Sequence, residues 1–478
     1  MFSPESSLII TTVFPRLLGM IYLFALGAFL FQILGLVGSE GILPAKKYLE
    51  FFKQRLGKRR FYWIPTVFWC NAGDRALMGT IVLGVVFAVL LVAGVYPPVM
   101  LFLLIVIHLS IVSIGQDFLS FGWEMFFLEI AYHAFFLSLA SPPNIFIWIS
   151  INLLIIRFHW QAGISKLKSG EPTWKNLTAL HYHYETQPLP NTVAWFFHQL
   201  PGWFHQCSVL MMFAIELFVP FGVLGTEFIR LQAFALFFLL QLFIWISGNY
   251  SYLNHLTVVL VALLISDTYL AFLFGQPEPL VASSWPLQLF LSAVGITFIV
   301  FHIMQLWNQL FSSPRVNRIL RAATPFHFTN RYGIFAVMTT TRYEIVVEGS
   351  RDNHTWKEYL FRCKPSEVDR RPRRISPYQP RLDWQAWFLP FTSWENAPWF
   401  QNFLICLLKG SPHVLFLLRH NPFPDEPPAY IRAKMYVYRF SDPITKRRLG
   451  HWWVREYLRE YTHSNSRIGF EQRESSRD

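Results

Sequence analysis

Nine apolar runs, each close to the roughly 20 residues a helix needs to cross a bilayer, recur through the first two thirds of this 478-residue chain. They lie near 17–37, 78–96, 98–115, 119–139, 145–165, 207–225, 229–247, 252–274 and 286–309. Backbone in lipid must satisfy its own hydrogen bonds, so such a chain is read as a polytopic helical bundle. Composition agrees: 53% hydrophobic, 15% charged, with a mean hydropathy of +0.33. The runs at 98 and 145 follow Pro97-Pro98 and Pro142-Pro143, and proline at a helix start costs no hydrogen bond. The first run is preceded by neither a charged n-region nor a cleavage motif and reads as a retained span.

The polar residues are unevenly placed. Residues 311–478 hold 27 of the 41 Lys+Arg and 16 of the 29 Asp+Glu, so they carry +11 of the net +12. The expected fold class is therefore a polytopic α-helical membrane bundle of about nine spans followed by a small α+β extramembrane domain. Residues 1–310 form the multi-pass transmembrane domain with a polar loop at 166–206, 311–450 the α+β domain, and 451–478 a polar tail expected to fray. "YGIFAVMTTTRYEIVVEGS" reads as two strands around a turn, "TWKEYLFRCK" as a third and "YIRAKMYVYRF", alternating over 430–440, as a fourth. "NAPWFQNFLICLLKGSPHVLFLLRHNPFP" reads as helical with a Gly-Ser-Pro break. No basic run is interleaved into a nucleic-acid motif, and the tail's charge suits solubility or anionic membrane lipid.

With nine spans, the loop 38–77, the loop 166–206 and the region after 310 share one face. "KQRLGKRRF" and the basic tail would put that face in the cytoplasm by the positive-inside rule.

Ionisable groups inside spans cost at least about 2.5 kcal/mol at the bilayer centre and so tend to be partnered or functional. "SIGQDFLSFGWEMFFLEIAYH" places Gln116 and Asp117 at a span boundary and Glu124 and Glu129 in the next helix. Five residues apart, those acids point about 140° away from each other. "NLLIIRFHWQAGISKLKSG" brings Arg157, His159 and Lys166 to the same region, with Glu216 and Asn249 as further polar candidates. Acids on one helix and bases on the next predict buried pairs that fix packing, with a ligand cavity as the competing reading.

The loop 166–206 is dense in chemistry. His181, His183 and Glu185 alternate and would share one face of an extended segment. The spacing is not H-E-x-x-H and no fourth ligand is evident, so no metal site is expected. A hydrogen-bonded plug or docking surface is the better reading, stiffened by the prolines of "ETQPLPNTVAW". Cys70, Cys207, Cys363 and Cys406 lie far apart with no C-x-x-C, against a thioredoxin-like exchanger or zinc ribbon. There is no G-x-S-x-G, P-loop or dinucleotide fingerprint, and no cofactor is expected.

The chain resembles the lipase maturation factor family. The likeness runs through "FWCNAGD", "SIGQDFLSFGWEMFFLE", "AGISKLKSGEPTWKNLTALHYHYETQPLPNTVAWFFHQLP", "GNYSYLN", "RYGIFAVMTTTRYEIVVEGS" with "TWKEY", "PRLDWQAWF" and "NPFPDEPPAYIRAKMYVYRF". It implies a membrane protein that helps homodimeric secreted lipases reach an active state. The loop 166–206 and the C-terminal domain would then face the lumen of the endoplasmic reticulum and engage the client. That sidedness opposes the charge rule. In a bacterial member the inner membrane would take the place of the reticulum, with the client open. Trp174, His181, His183, Tyr184, Glu185 and Gln187 are the residues of the loop that the resemblance points to as client-binding.

"AGISKL" is similar to a stretch of vitamin-K-dependent carboxylase-like membrane proteins in which a lysine serves as base. The likeness places that role on Lys166, a suitable base when burial lowers its pKa. The features favour a non-enzymatic maturation factor; the alternative is a membrane enzyme acting on a lipid-soluble or peptide substrate.

Overall fold

The computed structural model describes residues 4–275 and 283–466. Seven helices among them are long and apolar enough to span a bilayer: Leu8–Leu30, Asp74–Val92, Pro97–Ile114, Ile145–Lys168, Gly202–Leu224, Glu227–Ser247 and Trp285–Phe311. An eighth candidate is the pair Leu253–Leu264 and Asp267–Phe274, bent by 107°. The bend has a partner: the Asp267 carboxylate accepts the free amides of Leu8 and Ile9 at 2.8 and 2.9 Å and so completes the start of the first span.

The ninth expected window, 119–139, is the helix Gly122–Leu137. At 16 residues it is shorter than an ordinary span. It is also well enclosed, with Glu124, Glu129 and His133 fully buried. The expected starts hold for physical reasons. Pro97 opens its helix, and the Asn144 side chain accepts the Phe146 amide at 3.0 Å ahead of the next. Helices approach closely where side chains are missing: a Cβ on Gly295 would lie 2.6 Å from the Phe146 carbonyl carbon.

The C-terminal region forms a four-stranded antiparallel sheet ordered β2-β1-β5-β6, from β1 (Arg342–Ser350), β2 (Lys357–Glu358), β5 (Tyr430–Phe440) and β6 (Trp453–Ser466). A small pair, β3 (Leu360–Phe361) and β4 (Leu418–His420), lies beside it. β5 occupies the span its alternation predicts, burying Ile431, Ala433 and Met435 toward Phe400, Phe403 and Leu407 of the helix Pro398–Lys409. Gly410, at φ +69°, ends that helix at the expected break.

Three expectations for this region are corrected. The first of the two strands in 332–350 does not form, because the bundle holds that segment: Tyr332 Oη donates to Glu129 at 2.5 Å, and Trp174 Nε1 to the Phe335 carbonyl at 3.2 Å. "TWKEYLFRCK" divides between β2 and β3, its two halves pairing with different strands. The tail does not fray over Trp453–Ser466, which is strand β6, anchored by Trp453 against Phe440 at 4.4 Å between ring centroids. The rest of that tail, 467–478, lies outside the described residues.

The three polar regions do share one face, since they touch. Ser411 Oγ donates to the Glu40 carbonyl at 2.8 Å, Thr186 Oγ1 to that of Thr339 at 2.9 Å, and Trp195 Nε1 to that of Ser441 at 3.0 Å.

Candidate functional site

Within the helical bundle, the acids and bases that stand out in the sequence do not converge on one cavity. They form three separate pairings among the described residues, and Glu124 and Glu129 belong to different ones, as their angular separation requires.

Glu124 lies between His108, 3.0 Å from Nε2, and Arg381, 2.7 Å from Nη2. Arg381 also donates to the Phe118 carbonyl at 3.0 Å and stacks on Phe29, with its Cζ 4.0 Å from the ring centroid. Glu129 pairs with Arg157 and accepts from Tyr332 Oη and from the Asn330 amide and side chain. Lys166 donates to both oxygens of Glu216 at 2.8 and 2.7 Å, with the face of Trp174 5.6 Å away. Lys166 and Glu216 are each 6% exposed. A lysine committed to both oxygens of one carboxylate has two of its three protons engaged before any substrate arrives.

His159 stands apart from these pairs, stacked on Phe237 at 3.9 Å and donating from Nδ1 to the Ile155 carbonyl. Gln116 donates to the Leu43 carbonyl at 3.0 Å, which ties the loop 38–77 down. Asp117, partly buried in the next turn, joins none of the pairs, and its burial raises its pKa.

The loop also differs from its expected form. Ala179–Thr186 is a helix, so His181, His183 and Glu185 do not share an extended face. His181 lies beside His205 with ring centroids 4.7 Å apart. His183 Nε2 lies 2.7 Å from Tyr250 Oη, which donates to Gln187 Oε1 at 2.6 Å. Because the tyrosine's one proton goes to Gln187, His183 must donate from Nε2, leaving Nδ1 without a partner among the described residues. Burial, with the Lys166 charge adding to it, holds His183 down to about 4. Glu185 accepts the Phe440 amide at 2.5 Å, and burial raises its pKa. Trp174, Tyr184 and Gln187 are buried, at 3%, 5% and 2% exposure, and pack the loop against its neighbours. Gly248 is required here, since a Cβ would meet Gln187 Oε1 at 2.4 Å.

Two arginines that carry this arrangement have no conspicuous sequence signal. Arg342 donates to the carbonyls of Glu185, Gln187 and Pro188 while pairing with Glu344, whose other oxygen meets Lys364 at 2.6 Å. Arg381 reaches Glu124 across 257 positions of sequence. Each lies in a stretch quoted above for the resemblance, but as a single charge in a charged domain neither stands out. Among the described residues no group of three His, Cys, Asp or Glu side chains comes together closely enough to hold a metal ion.

Fold and pairings define a multi-pass membrane protein whose extramembrane α+β domain is clamped to its helical bundle through buried charge. The chain belongs to the lipase maturation factor family. The family model described as the lipase maturation factor transmembrane domain matches residues 9–272, and that of the C-terminal domain matches 328–463. Lipase maturation factor 1 of Bos taurus is 32% identical over 94% of this chain and 87% of its own. The human factor 1 is 31% identical, covering 94% and 86%. Lipase maturation factor 2 of Rattus norvegicus is 31% identical, covering 92% and 81%. No solved structure matches.

Proposed function

We propose that the protein is a membrane-bound, non-enzymatic maturation factor that assists the folding or assembly of a secreted, lipase-like client. The single observation that carries this reading is the engagement of Lys166 by Glu216 in a nearly dry site. A base needs a free lone pair beside a substrate, and this ammonium is spent on holding two helices together. The same holds for Arg157 with Glu129 and Arg381 with Glu124, so the polar core acts as a fastener. The names of the relatives supply the client class. A client would meet the exposed faces of the C-terminal domain together with the aromatic side chains the loop leaves exposed, Tyr182, Phe196 and Trp203. In a eukaryotic source the membrane is that of the endoplasmic reticulum, with this face in the lumen; in a bacterium it is the inner membrane.

The test compares secreted lipase in cells with and without the gene, measuring activity and mass together. Loss of activity at unchanged lipase mass supports the proposal. Activity per unit mass that does not depend on the gene refutes it.

A further inference from the structure

The C-terminal domain also carries a basic cavity that borders the clamp at Lys364. A cavity of about 140 Å³ lies between Pro190, the segment 362–375 and Trp453. Five cations line it: Arg362, Lys364, Arg370, Arg371 and Arg373. Only Lys364 has a carboxylate partner within 4 Å among the described residues, namely Glu344. Glu367, the one acid on the wall, is itself paired with Arg419. Asp383, close behind, spends one oxygen on the amides of Cys363 and Lys364 at 2.7 and 2.8 Å.

The arginines have neutral acceptors only: Arg362 donates to the Phe416 carbonyl, Arg370 to those of Phe361 and Arg362, and Arg371 Nε to Thr192 Oγ1 at 3.0 Å. Burial, and then repulsion from Arg419 and Arg373, lowers the pKa of Arg370, and the Arg362 Nε is buried without a hydrogen-bond acceptor among the described residues. Four guanidinium groups with no acid of their own need an anion with several acceptor oxygens, and phosphate fits the forked donor geometry of arginine.

The position selects the source of that phosphate. The same segment runs on to Arg374, which stacks on Trp245 with its Cζ 4.2 Å from the ring centroid and donates to the carbonyls of Trp245 and Ile246. Those residues end the span Glu227–Ser247, so the cavity stands at the level where a bilayer's headgroups begin. Asn249 fixes this placement by donating to the Arg373 carbonyl and accepting the amides of Ile375 and Ser376. The same face carries exposed Phe61 and Trp63 beside Lys58, Arg59 and Arg60, joined to the start of the C-terminal region by Tyr62 Oη on the Ala322 carbonyl.

We propose that this cavity binds the phosphate of an anionic phospholipid headgroup, with Arg371 and Arg373 as its principal donors and Arg370, whose terminal nitrogens hold the Phe361 and Arg362 carbonyls, adding charge to the wall. The site would hold the C-terminal domain to the membrane surface independently of the ion-pair clamp.

The test uses the full-length protein in a neutral detergent. Phosphatidylglycerol or phosphatidylcholine is added and the bound lipid is counted by native mass spectrometry; a third arm adds inorganic phosphate alone and reads thermal unfolding. Retention of phosphatidylglycerol in preference to phosphatidylcholine is expected. The Arg373→Gln variant, whose side chain makes no hydrogen bond among the described residues and so leaves the fold intact, should weaken that retention about fivefold. Arg371→Gln with Arg373→Gln should weaken it about 25-fold, and the paired lysine variants should restore most of it. Arg351→Gln with Lys357→Gln, at the far end of β1, is the charge-matched control and should have no effect. Equal retention of both lipids, or equal loss in the control, overturns the site. Stabilisation by inorganic phosphate with no retained phosphatidylglycerol overturns the lipid as its ligand.

Discussion

Both oxygens of the Glu216 carboxylate lie on the Lys166 ammonium, at 2.8 and 2.7 Å, where two helices meet and water scarcely reaches. Removing one member of such a pair leaves a buried charge without compensation, whereas removing both leaves an apolar contact. Lys166→Met should therefore lower stability by about 3–5 kcal/mol. Lys166→Met combined with Glu216→Leu should recover most of that loss. Thermal unfolding of the detergent-solubilised protein, arranged as a double-mutant cycle, measures the coupling; additive losses would show that the two groups do not act as a pair.

The clamp between bundle and C-terminal domain makes a separate prediction. Arg381→Met strands Glu124 with His108 alone and frees the Phe118 carbonyl. A loss of about 3–5 kcal/mol is expected. Limited proteolysis should show the C-terminal domain released before the bundle opens. Simultaneous loss of both would mean that they unfold as one unit.

Acid should weaken the loop through His183. Its folded pKa, about 4, lies below the ordinary value near 6.5, so the unfolded chain takes up the proton first. Its contribution is complete above pH 6.5 and falls as the pH drops towards 4, by up to about 1.4 kcal/mol per pH unit. Protonation would also put a donor on Nδ1, which has no acceptor among the described residues. Glu185 opposes this trend, because its raised pKa lets the folded state bind a proton early. The clean measurement is the difference between wild type and His183→Gln in stability from pH 7 to 5. The variant's slope should be the shallower, and identical slopes would remove His183 as the cause.

Strand β6 should be structural. Trp453 is 1% exposed and stacks on Phe440, and Arg342 lies over its ring with Cζ 5.4 Å from the centroid. Trp453→Ala should cost about 3–5 kcal/mol and raise amide exchange along β5. Unchanged exchange there would mean that β6 does not support the sheet.

The contrast between β5 and β6 shows what a sequence of this kind makes legible. β5 alternates apolar and polar residues because one of its faces covers a core, and that pattern fixes its limits at Tyr430 and Phe440. β6 lies at the sheet edge and reads "WVREYLREYTHSNS", in which the exposed Glu456 and Arg459 and the half-buried Arg455, paired with Glu358, mimic a polar tail. The spans were legible for the same reason as β5, since lipid demands unbroken apolar length. The loop misled because five residues of "HYHYE" fit a period of 2 as readily as a helical turn, and tertiary packing chose the helix. The pairings were half legible. Glu124, Glu129, Arg157 and Lys166 stood out as charges in apolar runs, but their partners Arg381 and Tyr332 come from far along the chain, where charge and aromatics are ordinary.

The most direct test of a fastener rather than an active site is the maturation capacity of the Lys166→Met/Glu216→Leu protein. It should be expressed in cells lacking the gene, with secreted lipase activity and lipase mass measured on the same samples. A pair that only holds helices together can be replaced by apolar side chains, so activity per unit mass should match that of wild type. A variant that reaches the membrane folded, at wild-type abundance, and yet leaves the lipase inactive would contradict the account and return Lys166 to a chemical role.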